Sequence, residues 1–272
     1  MTRQTVAAER IEGVWAAPRN VWQDAPNSIH NDAVAQRIGM RGGTIPGTVH
    51  LTHFRPILEQ LFGDRWLSRG SMSMYYTFAT TDGEEVRAIV AVPPDSSAER
   101  ARDVQLDAWV ENREGRTVCK GTIAVGDPAT VPYVRSLPLD EREGGEVRIL
   151  KGISVGMPTP ARDDYRIMKG GEAGEVRDFA QMHRALSAFP ESVTTAPAVG
   201  FFGATEIVLH AGPLRIETPY RKRGQVAAFG ATPKTEYAWI DTWLHDSDGR
   251  LVAEMRHMTR WMKVSSPFWR SE

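Results

Sequence analysis

Residues 27 to 47, NSIHNDAVAQRIGMRGGTIPG, bring a histidine, acidic side chains and a glycine-rich turn into one short stretch of chain. Asp24 precedes His30 by six residues and Asp32 follows it by two. Imidazole and carboxylate groups are the side chains that enzymes most often use to move protons. The glycines let the backbone approach another group closely. This stretch is therefore a candidate for acid–base chemistry.

The local pattern predicts which elements position these groups. Asn27 is placed to cap a short helix, which DAVAQRIG continues and Gly39 ends. The turn RGGTIPG then leads directly into an apolar helix. The first amides of that helix, at Gly47 and Thr48, lie at the positive end of its dipole. They suit a substrate oxygen that gains negative charge during a reaction.

His50 and His53 follow in the first turns of the same predicted helix, three residues apart. With His30 they suggest a metal site, but no carboxylate is spaced to complete a recognisable ligand set. Packing in the core or at an interface is the favoured interpretation of both, and no metal is predicted.

Composition excludes several classes of function. The chain has 272 residues, 41% of them hydrophobic and 25% charged, as in ordinary globular proteins. Thirty-three basic and thirty-four acidic residues leave a net charge of −1, so no overall field attracts nucleic acid. The densest basic cluster is Arg221, Lys222 and Arg223, which we interpret as a solvated turn between strands.

Cys119 is the only cysteine, which excludes an intramolecular disulfide and a site built from several thiolates. We expect a reducing, cytoplasmic environment. The first residues, MTRQTVAAERIEGVW, contain no apolar run of signal-peptide length, and no segment has the length of a membrane span. The sequence therefore predicts neither a membrane nor a nucleic-acid partner.

Both halves of the chain show apolar segments and alternating strands. In the first half, the pattern predicts a helix over 46–62 and strands over 70–78, 85–92, 103–112 and 116–125. In the second half, it predicts an amphipathic helix over 175–189, a helix-like segment over 198–210, and strands over 213–220, 224–231, 235–245 and 250–264.

A hairpin pattern recurs at half the chain length. Residues 107–119, DAWVENREGRTVC, and 241–253, DTWLHDSDGRLVA, share Asp, Trp, Gly, Arg and Val in register at a spacing of 134. Each alternates apolar and polar residues around a short turn. The repeat predicts a duplicated α+β unit, with one half over 1–145 and the other over 146–272, joined near a charged stretch around 140–150. Only the first half carries the His30 motif.

The residues around His30 resemble a known family. N-S-I-H-x-D, a short helix and then G-G-x-I-P-G at the head of an apolar helix are similar to the MaoC-like (R)-specific enoyl-CoA hydratases and dehydratases of the hotdog fold. Asn27, His30 and Asp32 match that family's motif, and Gly47 matches its helix-head glycine. The family places its catalytic aspartate five residues before the histidine, where this chain has Ala25.

The resemblance implies a double hotdog, in which two long helices are each wrapped by a curved antiparallel sheet. It also implies reversible addition of water across the 2,3 double bond of an acyl thioester such as an acyl-CoA. His30 and an aspartate would activate the water, with Asp24 the first choice and Asp32 the second. Asn27 and Thr48 would join Gly47 in binding substrate, and the Gly47 amide would hold the thioester oxygen.

Other functions remain open at this stage. The same fold supports acyl-CoA thioester hydrolysis, and it also supports a non-catalytic subunit that binds acyl groups or acts as a scaffold. The hydratase chemistry requires no metal or redox cofactor. The half without the motif would help to form the acyl pocket, in a chain that is a monomer or a homodimer.

Overall fold

The computed structural model describes residues 9–93, 103–139, 145–168, 174–191 and 198–269. Part of the join predicted around 140–150 and most of the polar loop predicted after the strand at 85–92 lie outside these described residues.

Ten strands form one sheet in which neighbouring strands pair antiparallel. They are β1 (Glu9–Glu12), β2 (Gly70–Tyr76), β3 (Val86–Val92), β4 (Val104–Asn112), β5 (Thr117–Val125), β6 (Arg162–Arg166), β7 (Gly200–Leu209), β8 (Pro219–Ala231), β9 (Thr235–His245) and β10 (Leu251–Met262). Their order across the sheet is β1-β3-β4-β5-β2-β7-β10-β9-β8-β6.

The two halves of the sheet have the same strand order. Outward from the central β2–β7 pair, the first half runs β2, β5, β4, β3, β1 and the second runs β7, β10, β9, β8, β6. Ser73 and Glu206 pair across the central junction, where the Ser73 hydroxyl donates to the buried Glu206 carboxylate at 2.9 Å. The same topology therefore occurs twice and meets in the middle of the sheet.

Most of the predicted strands are present within a residue or two of their predicted bounds. The repeated segments 107–119 and 241–253 form the β4–β5 and β9–β10 hairpins, which occupy equivalent places in the two halves. The pattern did not reveal β1 and β6, which read ERIE and RDDYR. These short, charged strands lie at the two edges of the sheet, where charge discourages pairing with another chain.

Five α-helices are present among the described residues. They are α1 (Asp32–Arg37), α2 (Gly47–Thr52), α3 (Arg55–Phe62), α4 (Arg65–Arg69) and α5 (Phe179–Leu186). The single helix predicted over 46–62 is thus wrong in one respect, since it is divided into α2 and α3. Pro56 lies in the first turn of α3, and proline cannot continue a helix because its ring clashes with the carbonyl four residues earlier.

Two predictions in the second half are wrong. The segment 198–210 contains strand β7 rather than a helix, because β7 lies at the centre of the sheet and is buried along most of its length. Such a nearly continuous apolar run looks the same for a buried strand and a buried helix. Of the strand predicted over 213–220, only Pro219 and Tyr220 belong to β8; Glu217 has a φ of 59°, which interrupts extended backbone.

The interpretation of residues 221–223 as a solvated turn is also wrong, because all three lie within β8. Lys222 is buried, and its ammonium donates to the carbonyls of Ala185 at 2.8 Å and Ser187 at 2.6 Å, at the C-terminal end of α5. A positive charge stabilises the exposed carbonyls of a helix end. Burial lowers the pKa of Lys222 to about 8.

The helices α2 to α5 pack with the sheet around one large apolar core. Phe54, Leu58, Trp66 and Met182 are fully or almost fully buried in it. Among the described residues, no helix is both long enough and apolar enough to cross a membrane.

Candidate functional site

The helix that follows His30 is capped by Asn31. Its side-chain oxygen accepts from the Val34 amide at 3.1 Å, and its backbone has the extended conformation of an N-cap. The prediction that Asn27 is the cap is wrong, since Asn27 lies four residues earlier, is exposed and has a φ of 52°. Helix α1 therefore begins later than the pattern suggested, with His30 in the turn before it.

His30 is held by the loop that precedes α2. Its Nδ1 lies 2.7 Å from the Thr44 carbonyl oxygen, while the Thr44 amide donates to the Ile29 carbonyl at 2.9 Å. The Asn20 side-chain amide also donates to the His30 carbonyl at 2.7 Å. A carbonyl can only accept, so Nδ1 carries the proton. In the neutral ring Nε2 then has the free lone pair that a base requires.

Burial lowers the pKa of His30 below its usual value, and the hydrogen bond to the Thr44 carbonyl opposes this shift only in part. At neutral pH the ring is therefore predominantly uncharged.

Asp32 braces the same loop. It is the first residue of α1, and its Oδ1 accepts from the Gly43 amide at 2.6 Å. A Cβ at Gly43 would lie 2.3 Å from the His30 carbonyl oxygen, so only glycine fits at this position. Asp32 and Gly43 together keep the loop against His30.

The structure does not bring an aspartate to the His30 ring. Asp24 is exposed and makes no hydrogen bond or ion pair with any described residue, and Asp32 bonds to Gly43 instead. Within the described ranges, no carboxylate hydrogen-bonds to the imidazole. The geometry therefore supports neither Asp24 nor Asp32 as a hydrogen-bond partner of the His30 ring.

A cavity of about 230 Å³ lies beside this loop. Its wall includes Ile29 and Thr44, which flank and hold His30, and Gly47 at the start of α2. Met40 and Ile45 of the loop and His50 of α2 also line it. Further lining residues come from the end of β2, the segment after it and, in the other half of the chain, the start of β7. These lining residues are predominantly apolar and include Tyr76, Phe78, Phe201 and Phe202.

Gly47 fits the cavity wall because it has no side chain. A Cβ on Gly47 would lie 2.8 Å from a carbon of the Tyr76 ring. Its amide belongs to the first turn of α2, whose early amides have no partner within the helix. Thr48 is buried but is not among the lining residues, and exposed Asn27 is not among them either.

His50 lines the cavity one helical turn after Gly47. Its Nε2 lies 2.9 Å from the Thr80 hydroxyl oxygen, and its Nδ1 is buried without a hydrogen-bond partner in the described chain. Burial lowers the pKa of His50 to about 3. The sequence favoured packing in the core or at an interface, and His50 is indeed buried. Its spacing of three from Gly47, which the sequence analysis did not use, places both residues on one helix face.

A buried polar chain runs from the cavity into the second half. The Tyr76 hydroxyl lies 3.3 Å from Thr205 Oγ1, which lies 2.9 Å from His257 Nδ1, and His183 Nε2 is 3.2 Å from that same nitrogen. The Phe202 ring packs against both histidines. Burial lowers the pKa of His183 to about 4 and that of His257 well below its usual value. Both imidazoles are therefore neutral.

No protein-family model matches the chain, and no curated protein sequence matches it significantly. Solved structures do match. A protein described as a MaoC-domain dehydratase from Chloroflexus aurantiacus J-10-fl has a TM-score of 0.50 at 11% identity, over 94% of this chain and 95% of that one.

Two other matches have lower TM-scores. The PpsC dehydratase domain from Mycobacterium tuberculosis, in complex with C12:1-CoA, has a TM-score of 0.48 at 12% identity, over 81% of this chain and 85% of that one. A structure described as a thioesterase II from Thermobifida fusca YX has a TM-score of 0.48 at 19% identity, over 83% of this chain and 89% of that one. The match with a TM-score of 0.50, at 11% identity, shows a shared fold alone, a hotdog fold with a large antiparallel sheet.

Proposed function

We propose that this chain is a hydratase or dehydratase of acyl thioesters in which His30 is the base that activates water. The observation that carries the proposal is the bond, 2.7 Å long, from His30 Nδ1 to the carbonyl of Thr44, a residue that lines an apolar cavity. That bond fixes the tautomer in which Nε2 is free to accept a proton. The motif from Asn27 to Gly47, which resembles MaoC-like hydratases, supports the same assignment.

The chain is proposed to be a double hotdog divided between residues 145 and 146. The identical strand order of the two halves and the equivalent hairpins support this division. The first half supplies Gly47 to the cavity wall and His30 bonded to the lining residue Thr44, and the second half supplies Phe201 and Phe202 to the wall. One site per chain follows, because the second half has no counterpart of the His30 motif.

In the hydration direction, His30 Nε2 takes a proton from water while the water oxygen bonds to C3 of the enoyl group. The electron pair of the double bond moves toward the thioester carbonyl, whose oxygen gains negative charge and is held by the Gly47 amide. The proton on His30 then passes to C2. One imidazole thus serves as base and then acid, and the sum is addition of one water molecule.

The cavity suits the acyl part of such a substrate. Its apolar walls favour a hydrocarbon chain, and its volume of about 230 Å³ is small beside pockets of roughly 300–1,000 Å³ that hold drug-sized ligands. We therefore propose an acyl thioester with a short chain, such as an acyl-CoA. Asp32 acts by positioning the loop that holds His30, whereas exposed Asp24 makes no hydrogen bond or ion pair with the described residues.

The proposal is tested by incubating the protein with crotonyl-CoA and following loss of the enoyl absorbance. His30→Asn keeps an N–H at the δ position for the Thr44 carbonyl and removes the nitrogen that acts as base. We expect this variant to keep its melting temperature and to lose turnover by about 10²–10⁴-fold. Turnover equal to that of the wild type would reject His30 as the base.

Thioester hydrolysis is a second candidate, and one observation favours it. No described carboxylate meets the His30 ring, so the site has one base and no separate acid. A thiolate, with a thiol pKa of about 8.5, leaves without prior protonation, so one base is enough for hydrolysis. Thiol release from butyryl-CoA, with crotonyl-CoA unchanged, would select this reaction. Binding of both without turnover would identify an acyl-binding protein.

A further inference from the structure

His50 is a buried imidazole with one satisfied nitrogen and one unsatisfied nitrogen. Only 2% of its surface is exposed, and Nε2 lies 2.9 Å from the Thr80 hydroxyl oxygen. Nδ1 has no hydrogen-bond partner among the described residues. Buried polar atoms are rarely left without a partner, so an unpaired nitrogen in a cavity wall indicates a partner supplied by a ligand.

The contact with Thr80 decides which nitrogen carries the proton. If the Thr80 hydroxyl donates to Nε2, the only donor left unpaired is the N–H at Nδ1. If Nε2 donates to Thr80 instead, the Thr80 hydroxyl hydrogen and the bare Nδ1 are both left unpaired. Leaving one buried group unpaired costs less free energy than leaving two, so the first arrangement is favoured. His50 is therefore neutral with a proton on Nδ1.

Other groups near His50 do not compete for this N–H. The His53 ring lies 6.1 Å away between centroids, and the Tyr76 hydroxyl is directed to Thr205. Glu84 raises the pKa of His50 slightly, but burial and His53 outweigh it and keep the ring uncharged. None of these groups therefore takes the Nδ1–H of His50, a residue that lines the cavity.

We infer that His50 is a second hydrogen-bond donor of this pocket, and that its Nδ1–H binds the carbonyl oxygen of the acyl thioester together with the Gly47 amide. The inference rests on the proposed function, because it takes the acyl thioester as the ligand. His50 lies one turn beyond Gly47 on α2, and helical side chains point back toward the N-terminus. Two donors converging on one oxygen form an oxyanion site. Thr80 is then a positioning residue that sets the tautomer of His50.

The first test is a direct measurement of the tautomer. The protein is labelled with ¹⁵N-histidine, and the His50 signals are assigned by their loss in His50→Gln. We expect a protonated Nδ1 and a bare Nε2, and we expect the Nδ1 signal to shift when butyryl-CoA is added. A bare Nδ1 would overturn the donor assignment.

The second test isolates the carbonyl. Butyryl-CoA and S-butyl-CoA, its thioether without the carbonyl oxygen, are titrated calorimetrically into His30→Asn protein, which prevents turnover. His50→Gln places its amide at the ε position, whereas His50→Asn keeps a donor at the δ position. Loss of one neutral hydrogen bond corresponds to about tenfold in affinity.

We expect His50→Gln to weaken butyryl-CoA binding about tenfold and to leave S-butyl-CoA binding unchanged, whereas His50→Asn keeps most of the affinity for butyryl-CoA. Equal losses for both ligands, or no loss for either, would overturn the inference, as would failure of the parent protein to bind butyryl-CoA. Failure of the proposed function is distinct, since it appears as unchanged crotonyl-CoA turnover in His30→Asn, whatever the His50 variants bind.

Discussion

The chemistry proposed for His30 depends on one backbone contact. The Thr44 carbonyl accepts from Nδ1, so the ring is oriented without a carboxylate, and Nε2 is the nitrogen that exchanges protons. A carbonyl carries no net charge and stabilises the protonated ring less than a carboxylate does. Burial therefore determines the direction of the shift, and the pKa of His30 lies below its usual value.

A pH profile tests this environment. The base must be neutral, so kcat/KM for hydration should be constant above about pH 6.5, the usual pKa of histidine, and should fall on the acid side of that value. Because burial lowers the pKa of His30, the midpoint of the fall should lie below 6.5. Stopped-flow or steady-state rates between pH 4.5 and 8, buffered at constant ionic strength, provide the measurement. A midpoint above 7 would contradict the described environment.

Two adjacent glycines provide a matched pair of substitutions. A Cβ at Gly43 would lie 2.3 Å from the His30 carbonyl oxygen, whereas one at Gly42 would lie 3.2 Å from the Asp32 side chain. Gly43→Ala should displace the loop, lower the free energy of unfolding by roughly 1–3 kcal/mol and reduce turnover. Gly42→Ala should change both by much less. Thermal melts and crotonyl-CoA assays measure both effects. Equal losses of stability and turnover in the two variants would contradict the prediction.

At the scale of elements, α1 and the loop before α2 behave as one unit. Asn31 caps the helix, and Asp32 in its first turn reaches across to the Gly43 amide. An acidic residue at this end of a helix also interacts favourably with the helix dipole. Asp32 therefore fixes the position of the loop that holds His30.

This role separates the two aspartates that flank His30. Asp32→Asn weakens the bond to the Gly43 amide and should lower the free energy of unfolding by about 1 kcal/mol, with a partial loss of kcat. Asp24→Asn, at an exposed residue without a contact to the described chain, should leave stability and kcat unchanged. Chemical denaturation and initial rates measure both effects. Complete loss of turnover in Asp24→Asn would instead make Asp24 the acid.

At the scale of the whole molecule, the site depends on the pairing of the two halves. The cavity lies between α2 and the end of β2 in one half and the start of β7 in the other. The polar chain from Tyr76 through Thr205 to His257 crosses the same junction. Neutral, buried histidines are thus part of what joins the halves.

Stability should consequently depend on pH through these histidines. The pKa of His183 is about 4 in the folded chain, against about 6.5 for an unperturbed histidine. Between these values the unfolded chain binds the additional proton, so the free energy of unfolding decreases as the pH falls from 6.5 toward 4. The decrease in the free energy of unfolding is about 1.4 kcal/mol per pH unit for one such group. Above about pH 6.5 the histidine is neutral in both states, and its contribution to stability is fully present.

Urea denaturation at several pH values measures that slope. His183→Gln should reduce the slope by the amount that corresponds to one proton taken up on unfolding. His245→Gln, at the end of β9 and outside the buried network, should leave the slope close to that of the wild type. Comparison of variants removes the contribution of carboxylates, which also titrate in this range. An unchanged slope in His183→Gln would show that the residue is protonated equally in both states.

The sequence by itself determined the local features of this protein. Strands β2 to β5, β9 and β10 follow from alternation of apolar and polar residues, and the two repeated hairpins occupy equivalent places in the strand order. The same local information selected His30 and the glycine-rich turn as a candidate site, which stays a prediction. It misassigned β7, because the period of side-chain burial disappears where a strand is covered on both faces.

Only the tertiary structure decided which groups meet. Thr44 lies fourteen residues from His30 and Thr80 lies thirty from His50, and neither contact has a periodic signal in the chain. In the folded chain Asp32 accepts a hydrogen bond from the Gly43 amide and makes none with the imidazole of His30. Lys222 is buried and donates to a carbonyl at the end of α5. Hydrogen-bond partners of buried polar groups are selected by the packing of distant segments, which local patterns do not encode.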